Sequence, residues 1–326
     1  MTPVRQHRTV ADLAPLARAA LGRHRTLAAV TRLRGGSKKG VYRLHLDDSR
    51  TAVAYVWSPD EDYWDQPDAD PRDPFSHASG LGLFTASHDR LAAVGVRTPR
   101  LLHVDEAAGA AVVEDLSGGS LEEALRRDPE AAGPALRQLA EALRLLRDCR
   151  SAGHGKVALV DCGGTAYGDS CARLVTERAL SDIAETALRD PRAAAARARL
   201  EEGVRSLAGA VRPRAGHGLV HGELGPDHVL LDDAGRPALI DIEGLMYFDP
   251  EWEHVFLRLR FGPHYAGLRA PGLDEDRLRL YRLAMHLNLV AGPLRLLDGD
   301  FPRPEFMRGI AEYNLGQALS LTGCAS

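Results

Sequence analysis

Lysine is almost missing from this chain of 326 residues: it stands only at positions 38, 39 and 156, and arginine supplies the other 38 of 41 basic residues. The bias points to a GC-rich genome and makes the adjacent pair Lys38-Lys39 informative. Basic residues are also not in excess. They number 41 against 45 acidic ones, a formal net charge of −4, which gives no electrostatic footprint for nucleic acid or for an anionic membrane. Cysteine is sparse: Cys149, Cys162, Cys171 and Cys324 lack C-x-x-C spacing, so neither a zinc ribbon nor a disulfide scaffold is indicated, and reduced thiols are the simplest expectation. No apolar run approaches the roughly 18 residues that cross a bilayer, and the N-terminal MTPVRQHRTVADLAP carries no apolar signal core, so the expected location is cytoplasmic. What is present, 44% hydrophobic and 26% charged residues, is ordinary for a globular protein long enough to build two lobes with separate cores.

The chemistry concentrates between His217 and His254. Two short apolar runs, Gly218 to Val220 and Val229 to Leu231, flank the polar loop His221-Gly222-Glu223-Leu224-Gly225-Pro226-Asp227-His228, and a third run, Pro237 to Ile240, leads into Asp241 and Glu243. Such runs, bounded by Gly, Pro and Asp, predict strands, and Asp232-Asp233-Ala234-Gly235 predicts a hairpin turn. The two loops then meet at one end of the hairpin and gather Glu223, His228, Asp241 and Glu243 around one small volume. Crowded carboxylates repel unless a cation sits among them. Magnesium bound by carboxylates and phosphate oxygens is a common solution, with manganese the alternative, and a further carboxylate can take a proton from an attacking hydroxyl. A zinc-hydrolase reading of His221, Glu223 and His228 is disfavoured, because neither H-E-x-x-H nor P-C-x-x-C is present.

Upstream, Val10, Leu13, Leu16, Ala17, Ala20 and Leu21 predict an amphipathic helix, and Leu27 to Leu33, Val41 to Leu46 and Thr51 to Trp57 predict three strands. Between the first two lies Arg34-Gly35-Gly36-Ser37-Lys38-Lys39-Gly40, either an anion-binding nest or a Gly-rich hairpin loop with solvated lysines. Residues 58 to 79, rich in Asp and Pro, read as a mobile surface loop or as a lid that touches substrate through Tyr63 and Trp64. A helix at 81 to 94 and strands at 95 to 102 and 111 to 116 complete the sheet. A capped helix opening at Ser120 then continues to Cys149, residues 151 to 169 form an irregular Gly-rich loop on the substrate side, and helices follow near 170 to 188, 190 to 209, 250 to 260, 274 to 296 and 303 to 322. This order predicts an α+β fold, a small antiparallel sheet followed by a mostly helical C-terminal part.

The run His-Gly-acid, a polar side chain five residues later, and then Ile-Asp-x-Glu resembles the catalytic and metal loops of the aminoglycoside phosphotransferase and choline kinase-like family, small-molecule relatives of the protein kinases. The family pattern is His-Gly-Asp-x-x-x-x-Asn followed by Ile-Asp; this chain has Glu223 for the Asp and His228 for the Asn, and Asp249-Pro250-Glu251-Trp252-Glu253 for the later Asp-Pro-x-x-Asp. The resemblance implies a bilobal protein kinase-like fold, residues 1 to 116 forming a nucleotide-binding lobe and 117 to 326 a catalytic and substrate-binding lobe. It implies Gly36, Ser37, Lys38, Lys39 and Gly40 on the phosphates of ATP or GTP, and the backbone of Glu114 to Leu116 on the adenine edge beside a flexible joint at Ser117-Gly118-Gly119. It further implies Glu223 as the base, or its vestige, and Asp241 and Glu243 as ligands of magnesium. His228 is either a further metal ligand or a hydrogen-bond donor to a phosphate or to Asp241. His221 braces the loop, and Asp249, Glu253 and His254 support it from the next helix. Kinase-like folds place a lysine on the third strand and a glutamate on the following helix; both are missing, which suggests that Lys38 or Lys39 carries the positive charge instead. The implied activity is transfer of a γ-phosphoryl group to a hydroxyl of an aminoglycoside, another antibiotic, or a nucleoside- or choline-like metabolite. The alternative is a degenerate kinase fold that binds nucleotide without turnover.

Overall fold

Local capping starts the chain: Thr9 and Asp12 form a reciprocal capping box that opens α1 (Val10–Leu21), and Gly22, at φ +102°, ends it. The structure is a computed structural model and describes residues 5–33, 36–64 and 70–323. After α1 come β1 (Leu27–Arg32), β2 (Gly40–Leu46), β3 (Thr51–Val56), α2 (Leu81–Ala93), β4 (Leu101–Asp105) and β5 (Ala110–Glu114). Next are α3 (Leu121–Arg127), α4 (Gly133–Asp148), the two-residue strands β6 (Arg150–Ser151) and β7 (Gly155–Lys156), the single turn α5 (Val157–Val160), α6 (Cys171–Ala187) and α7 (Pro191–Ala210). The chain finishes with β8 (His217–Val220), β9 (Val229–Leu231), β10 (Pro237–Leu239), β11 (Met246–Phe248), α8 (Pro250–Phe261), α9 (Glu275–Leu297) and α10 (Pro304–Gly323). The architecture is α+β, an N-terminal antiparallel sheet and a larger helical C-terminal part, as the order of sequence elements requires. No helix among the described residues is long and apolar enough to cross a membrane.

Two compact units divide the chain: Met1–Ala69, Phe75–Leu146 and Gly225–Leu245 form the first, and Asp70–Pro74, Arg147–Leu224 and Met246–Ser326 the second. In the first unit the sheet runs β1-β2-β3-β5-β4, antiparallel throughout. Period-two alternation sends Tyr42, Leu44, Ala52, Ala54, Val56, Ala110 and Val112 to one core, where they pack with Leu13, Leu16 and Ala17 of α1. Tyr55 and Trp57 form an aromatic cluster with Phe84 of α2, at centroid distances of 5.5 and 5.3 Å. The hairpin of β9 and β10 joins this unit through the backbone: Leu231 accepts from Gly118 (3.0 Å) and donates to Gly119 (2.8 Å), and Leu239 donates to Arg97 (2.9 Å). A Cβ on Gly118 would lie 2.5 Å from the carbonyl oxygen of Asp232 and 2.7 Å from that of Leu231, so only glycine permits the approach. In the second unit a four-stranded sheet, β6-β8-β11-β7, accompanies helices α6 to α10, with α9 packed by α6, α7, α8 and α10.

Several expectations need correction. Residues 95 to 100 are not strand: Gly95 takes φ +77°, Pro99 has no N–H to pair, and β4 starts at Leu101. The long helix from 120 to 149 is two helices, because Pro129 forces Asp128 into the extended region and the Asp128 side chain then accepts from the amides of Glu130 and Ala131 in the turn. Residues 58 to 64 are not a free loop. Glu61 is fully buried, bonded to Tyr42 Oη and to Arg32 Nη2 (2.9 Å), and the Tyr63 amide and Trp64 Nε1 both bond Ser37. Positions 65 to 69 of that segment lie outside the described residues. The stretch from 151 to 169 is partly ordered as β7 and α5.

Candidate active site

β2 begins at Gly40, where only glycine fits, since an added Cβ would lie 2.6 Å from both Glu61 Cδ and Tyr42 Cε2. Lys39 therefore sits at the very end of the Gly-rich turn and runs inward, 6% exposed. Its Nζ donates to Asp241 Oδ1 (2.7 Å) and Glu243 Oε1 (2.6 Å) and lies 5.4 Å from the centroid of the Tyr55 ring. Burial opposes the ammonium charge, but Asp241 and Glu243 overcome it and hold the group well above the ordinary lysine value. The solvated-lysine reading of the turn thus fails for Lys39, whose charge reaches the Tyr55 ring on β3, a strand that carries no lysine of its own.

The hairpin presents the acidic side. Asp241 follows β10 in the left-handed conformation (φ 60°, ψ 46°), a strained setting for a residue other than glycine, and one tight turn, Ile242–Gly244, then places Glu243. Burial alone would raise the Asp241 carboxyl. The charges of Lys39, then His228 and Lys38, outweigh it and hold the group far below the carboxylate range. His228 stands across the hairpin, its carbonyl bonded to the Ile240 amide (3.0 Å) and its Nε2 3.9 Å from Asp241 Oδ2. Glu243 is buried and shares Oε1 between Lys39 and Trp57 Nε1 (3.2 Å). The structure thus brings Lys39, His228, Asp241 and Glu243 together. Trp57 is the member that motif spacing does not single out. The alternation Val53, Tyr55, Trp57, which sets the three on one face of the strand, is the signal that finds it.

The rest of the Gly-rich turn is braced from outside. Ser37 accepts from the Tyr63 amide (2.8 Å) and, through Oγ, from Trp64 Nε1 (3.1 Å), and the Lys38 carbonyl accepts from Ser79 Oγ (2.8 Å). Gly36 packs so closely on the Lys39 carbonyl that a Cβ would overlap it. At the end of β5 the Glu114 amide donates to Arg100 (2.9 Å), Asp115 is clamped by Arg43 (2.7 and 3.0 Å), and Leu116 is buried. The expected flexible joint at Ser117-Gly118-Gly119 is instead tied to β9 through the amide of Gly118 and the carbonyl of Gly119.

Glu223 belongs to the second unit and is exposed, while His221, Gly222 and Leu224 around it are buried. The turn is shaped by Gly222 at φ +90° and held from α8: Glu253 Oε2 accepts from the amides of His221 (2.5 Å) and Gly222 (2.9 Å). Burial raises the Glu253 carboxyl. Of the three residues expected to support this loop, Glu253 bonds its backbone. Asp249 bonds Arg277 and Tyr281, and His254 pairs with Tyr265 Oη (3.3 Å).

One ammonium against two carboxylates leaves the Lys39 group of the first unit net anionic, and Asp241, a strongly ionised and partly open carboxylate, suits a hard divalent cation. His228 adds a softer donor, which favours manganese relative to an all-oxygen set.

A family model described as phosphotransferase enzyme family (APH) matches residues 29–284. None of the curated proteins matches the chain at a significant level. Among solved structures, a thermostable mutant of aminoglycoside phosphotransferase APH(4)-Ia, in ternary complex with AMP-PNP and hygromycin B, is similar with a TM-score of 0.64 at 18% identity, over 96% of this chain and 99% of that one. Choline kinase LicA from Streptococcus pneumoniae is similar with a TM-score of 0.61 at 13% identity, over 95% of this chain and 97% of that one. A choline/ethanolamine kinase family protein from Mesorhizobium loti gives 0.56 at 19% identity, over 97% and 94%. At these identities the likeness concerns the fold.

Proposed function

We propose that this chain, which belongs to the phosphotransferase enzyme family, moves the γ-phosphoryl group of ATP or GTP to a hydroxyl of a small molecule, with an antibiotic as the acceptor class. The observation that carries the reading is the ammonium of Lys39 fixed between Asp241 and Glu243: a buried cation beside an ionised carboxylate, at the end of a Gly-rich turn. In this reading residues 1 to 116 form the nucleotide-binding lobe and 117 to 326 the catalytic and substrate-binding lobe, in a cytoplasmic enzyme. Gly36, Ser37, Lys38, Lys39 and Gly40 hold the phosphates, and the backbone from Glu114 to Leu116 holds the base. Asp241 and His228, with Glu243 behind them, hold magnesium or manganese. When bound, that ion supplies charge neutralisation on the phosphate oxygens. Glu223, exposed on a loop whose backbone Glu253 grips, orients the acceptor hydroxyl and takes its proton. Catalysis rests on position and charge, without a covalent enzyme intermediate. The hygromycin B of the aminoglycoside phosphotransferase complex supports the acceptor class.

Consumption of ATP or GTP with magnesium or manganese, across a panel of hydroxylated antibiotics, tests the assignment. Glu223→Gln should lower turnover by about 10²- to 10⁴-fold with little change in nucleotide KM, and Asp241→Asn should lower turnover together with metal dependence. Turnover indifferent to both substitutions would sink the mechanism. A second reading, nucleotide binding without turnover, draws on Glu223 and His228 in place of the family's Asp and Asn and on the absence of both the third-strand lysine and the glutamate of the following helix. Binding with no consumption on any acceptor would establish it.

A further inference from the structure

Four residues distant in sequence converge inside the second unit. His154 lies between β6 and β7, Cys171 is the first residue of α6, His217 opens β8, and Asp249 precedes α8. One nitrogen of each imidazole and Cys171 Sγ lie within 4.8 Å of one another, and all three residues are buried. Cys171 Sγ is 3.4 Å from His217 Nδ1, and the same Nδ1 is 3.5 Å from Asp249 Oδ1. Zn–S and Zn–N bonds of about 2.3 and 2.0–2.1 Å place two tetrahedral ligand atoms about 3.6 Å apart, close to both separations.

Hydrogen bonding within the protein leaves this group incompletely explained. Asp249 is 1% exposed; its Oδ2 accepts from Arg277 Nε (2.8 Å) and Tyr281 Oη (2.5 Å), whereas its Oδ1 is buried without a hydrogen-bond partner, the Arg214 guanidinium standing 3.7 Å away. A buried, unsatisfied carboxylate oxygen is costly and calls for an explanation. His217 Nδ1 cannot both donate to Asp249 and accept from the Cys171 thiol, so if the thiol donates to this nitrogen Asp249 Oδ1 receives nothing from it. His154 faces the carbonyl of Tyr167 through Nε2 (3.0 Å). A carbonyl only accepts, so Nε2 carries the proton and Nδ1 keeps a lone pair, the tautomer that a second-shell carbonyl imposes on a metal-bound histidine. Burial and then the neighbouring Asp249 carboxylate hold the Cys171 thiol above its ordinary value, so a cation entering here has to displace its proton.

We propose that His154, Cys171, His217 and Asp249 form a buried binding site for a borderline divalent cation of the zinc class. Two imidazoles, a thiolate and a carboxylate match the donor preference of such an ion, with Arg277 remaining as the outer partner of the Asp249 carboxylate. Four protein ligands make the site structural. It ties the β6–β7 segment and α6 to β8, the strand that runs directly into His221-Gly222-Glu223, and to the start of α8, which carries Glu253.

Cobalt added to chelator-treated full-length protein reads the site directly. One equivalent should bind with a thiolate-to-cobalt charge-transfer band, and zinc should displace it. Cys171→Ala should abolish the band, and His154→Ala, which removes a direct ligand, should weaken binding by more than the roughly 10- to 100-fold that loss of an outer-shell partner costs. Tyr281→Phe, which keeps every ligand and removes only a bond to Asp249, should cost about 10- to 100-fold in affinity. It also serves should Cys171→Ala fail to fold. Absence of the sulfur band overturns the proposal, as does a band that persists in Cys171→Ala. So does cobalt binding that is lost only in Asp241→Asn, since that group offers no sulfur.

Discussion

Lys39 concentrates the energetics of the proposed nucleotide site in one side chain. Its folded-state pKa lies above the unfolded value, so its stabilisation is complete below the unfolded pKa and is lost only as pH rises through the folded one. Asp241 is shifted the opposite way; its contribution is present above the unfolded carboxylate pKa and vanishes only in strong acid. The pair is therefore indifferent to pH across the neutral range, and mutation is the way to probe it. Lys39→Met leaves Asp241 and Glu243 without their counter-charge, and we expect a loss of about 3–5 kcal/mol in urea or thermal unfolding, together with a raised nucleotide KM. Adding Glu243→Gln should restore part of the stability, because one orphaned charge disappears, while the KM stays high; full recovery of both would refute a phosphate-binding Lys39. His228→Asn replaces a borderline donor with a hard oxygen and should shift the preference from manganese toward magnesium in a metal-activation titration. At this scale the sequence is legible where partners are close along the chain: His228, Asp241 and Glu243 lie on one hairpin and are fixed by its turn. The bond from Lys39 to Asp241 spans 202 positions, and nothing in the Lys38-Lys39 pair says which lysine makes it.

Elements with a repeating pattern announce themselves, and short ones do not. Leucine spacing predicts the long helices of the second half, and alternation predicts β1, β2 and β3, because a period of 3.6 or 2 needs several residues to be seen. β6 and β7 have two residues each and β11 has three, too few for any period, so the sheet around β8 is invisible in the sequence. The break after α3 is written in the sequence, since Pro129 pushes Asp128 into the extended region (φ −155°, ψ 94°) and ends the helix, although the leucine spacing on either side suggests continuity. The hairpin of β9 and β10 was legible as a hairpin, but its attachment to the Gly118 segment was not, since a glycine in sequence does not disclose what approaches it. That attachment is testable. Gly118→Ala would force a methyl group against two carbonyl oxygens at 2.5 and 2.7 Å, and overpacking of this kind costs about 1–3 kcal/mol. Because β9 follows His228 and pairs with the strand leading to Asp241, the same substitution should raise nucleotide KM. A folded Gly118→Ala protein with unaltered KM would show that the register of this hairpin does not set the site.

For the molecule as a whole, the α+β character follows from the order of the predicted elements, whereas its response to acid depends on burial that no sequence pattern reveals. The ion pair of Lys39 and Asp241 contributes nothing to pH dependence near neutrality, and His254 on α8 is a clear source of sensitivity there. Burial, reinforced by Arg147 and Arg269, pushes its imidazole down from 6.5 to about 4. The folded protein then holds His254 neutral while the unfolded chain protonates it. Its stabilisation is complete above the unfolded pKa and is lost as pH falls from about 6.5 to about 4, a difference of about 3 kcal/mol for such a shift. His286, also lowered by burial, acts with the same sign. Thermal unfolding followed from pH 7 to pH 4 should therefore show Tm falling through this window. His254→Asn, which keeps a polar group opposite Tyr265 but cannot titrate, should start from a lower Tm at pH 7 and decline less steeply. Glu253, whose carboxylate holds the loop bearing Glu223, is the preceding residue on the same helix. Reversible loss of turnover should accompany the fall in wild-type Tm and be blunted in His254→Asn. An equally steep decline in the variant would move the acid response away from His254 and onto the remaining buried histidines.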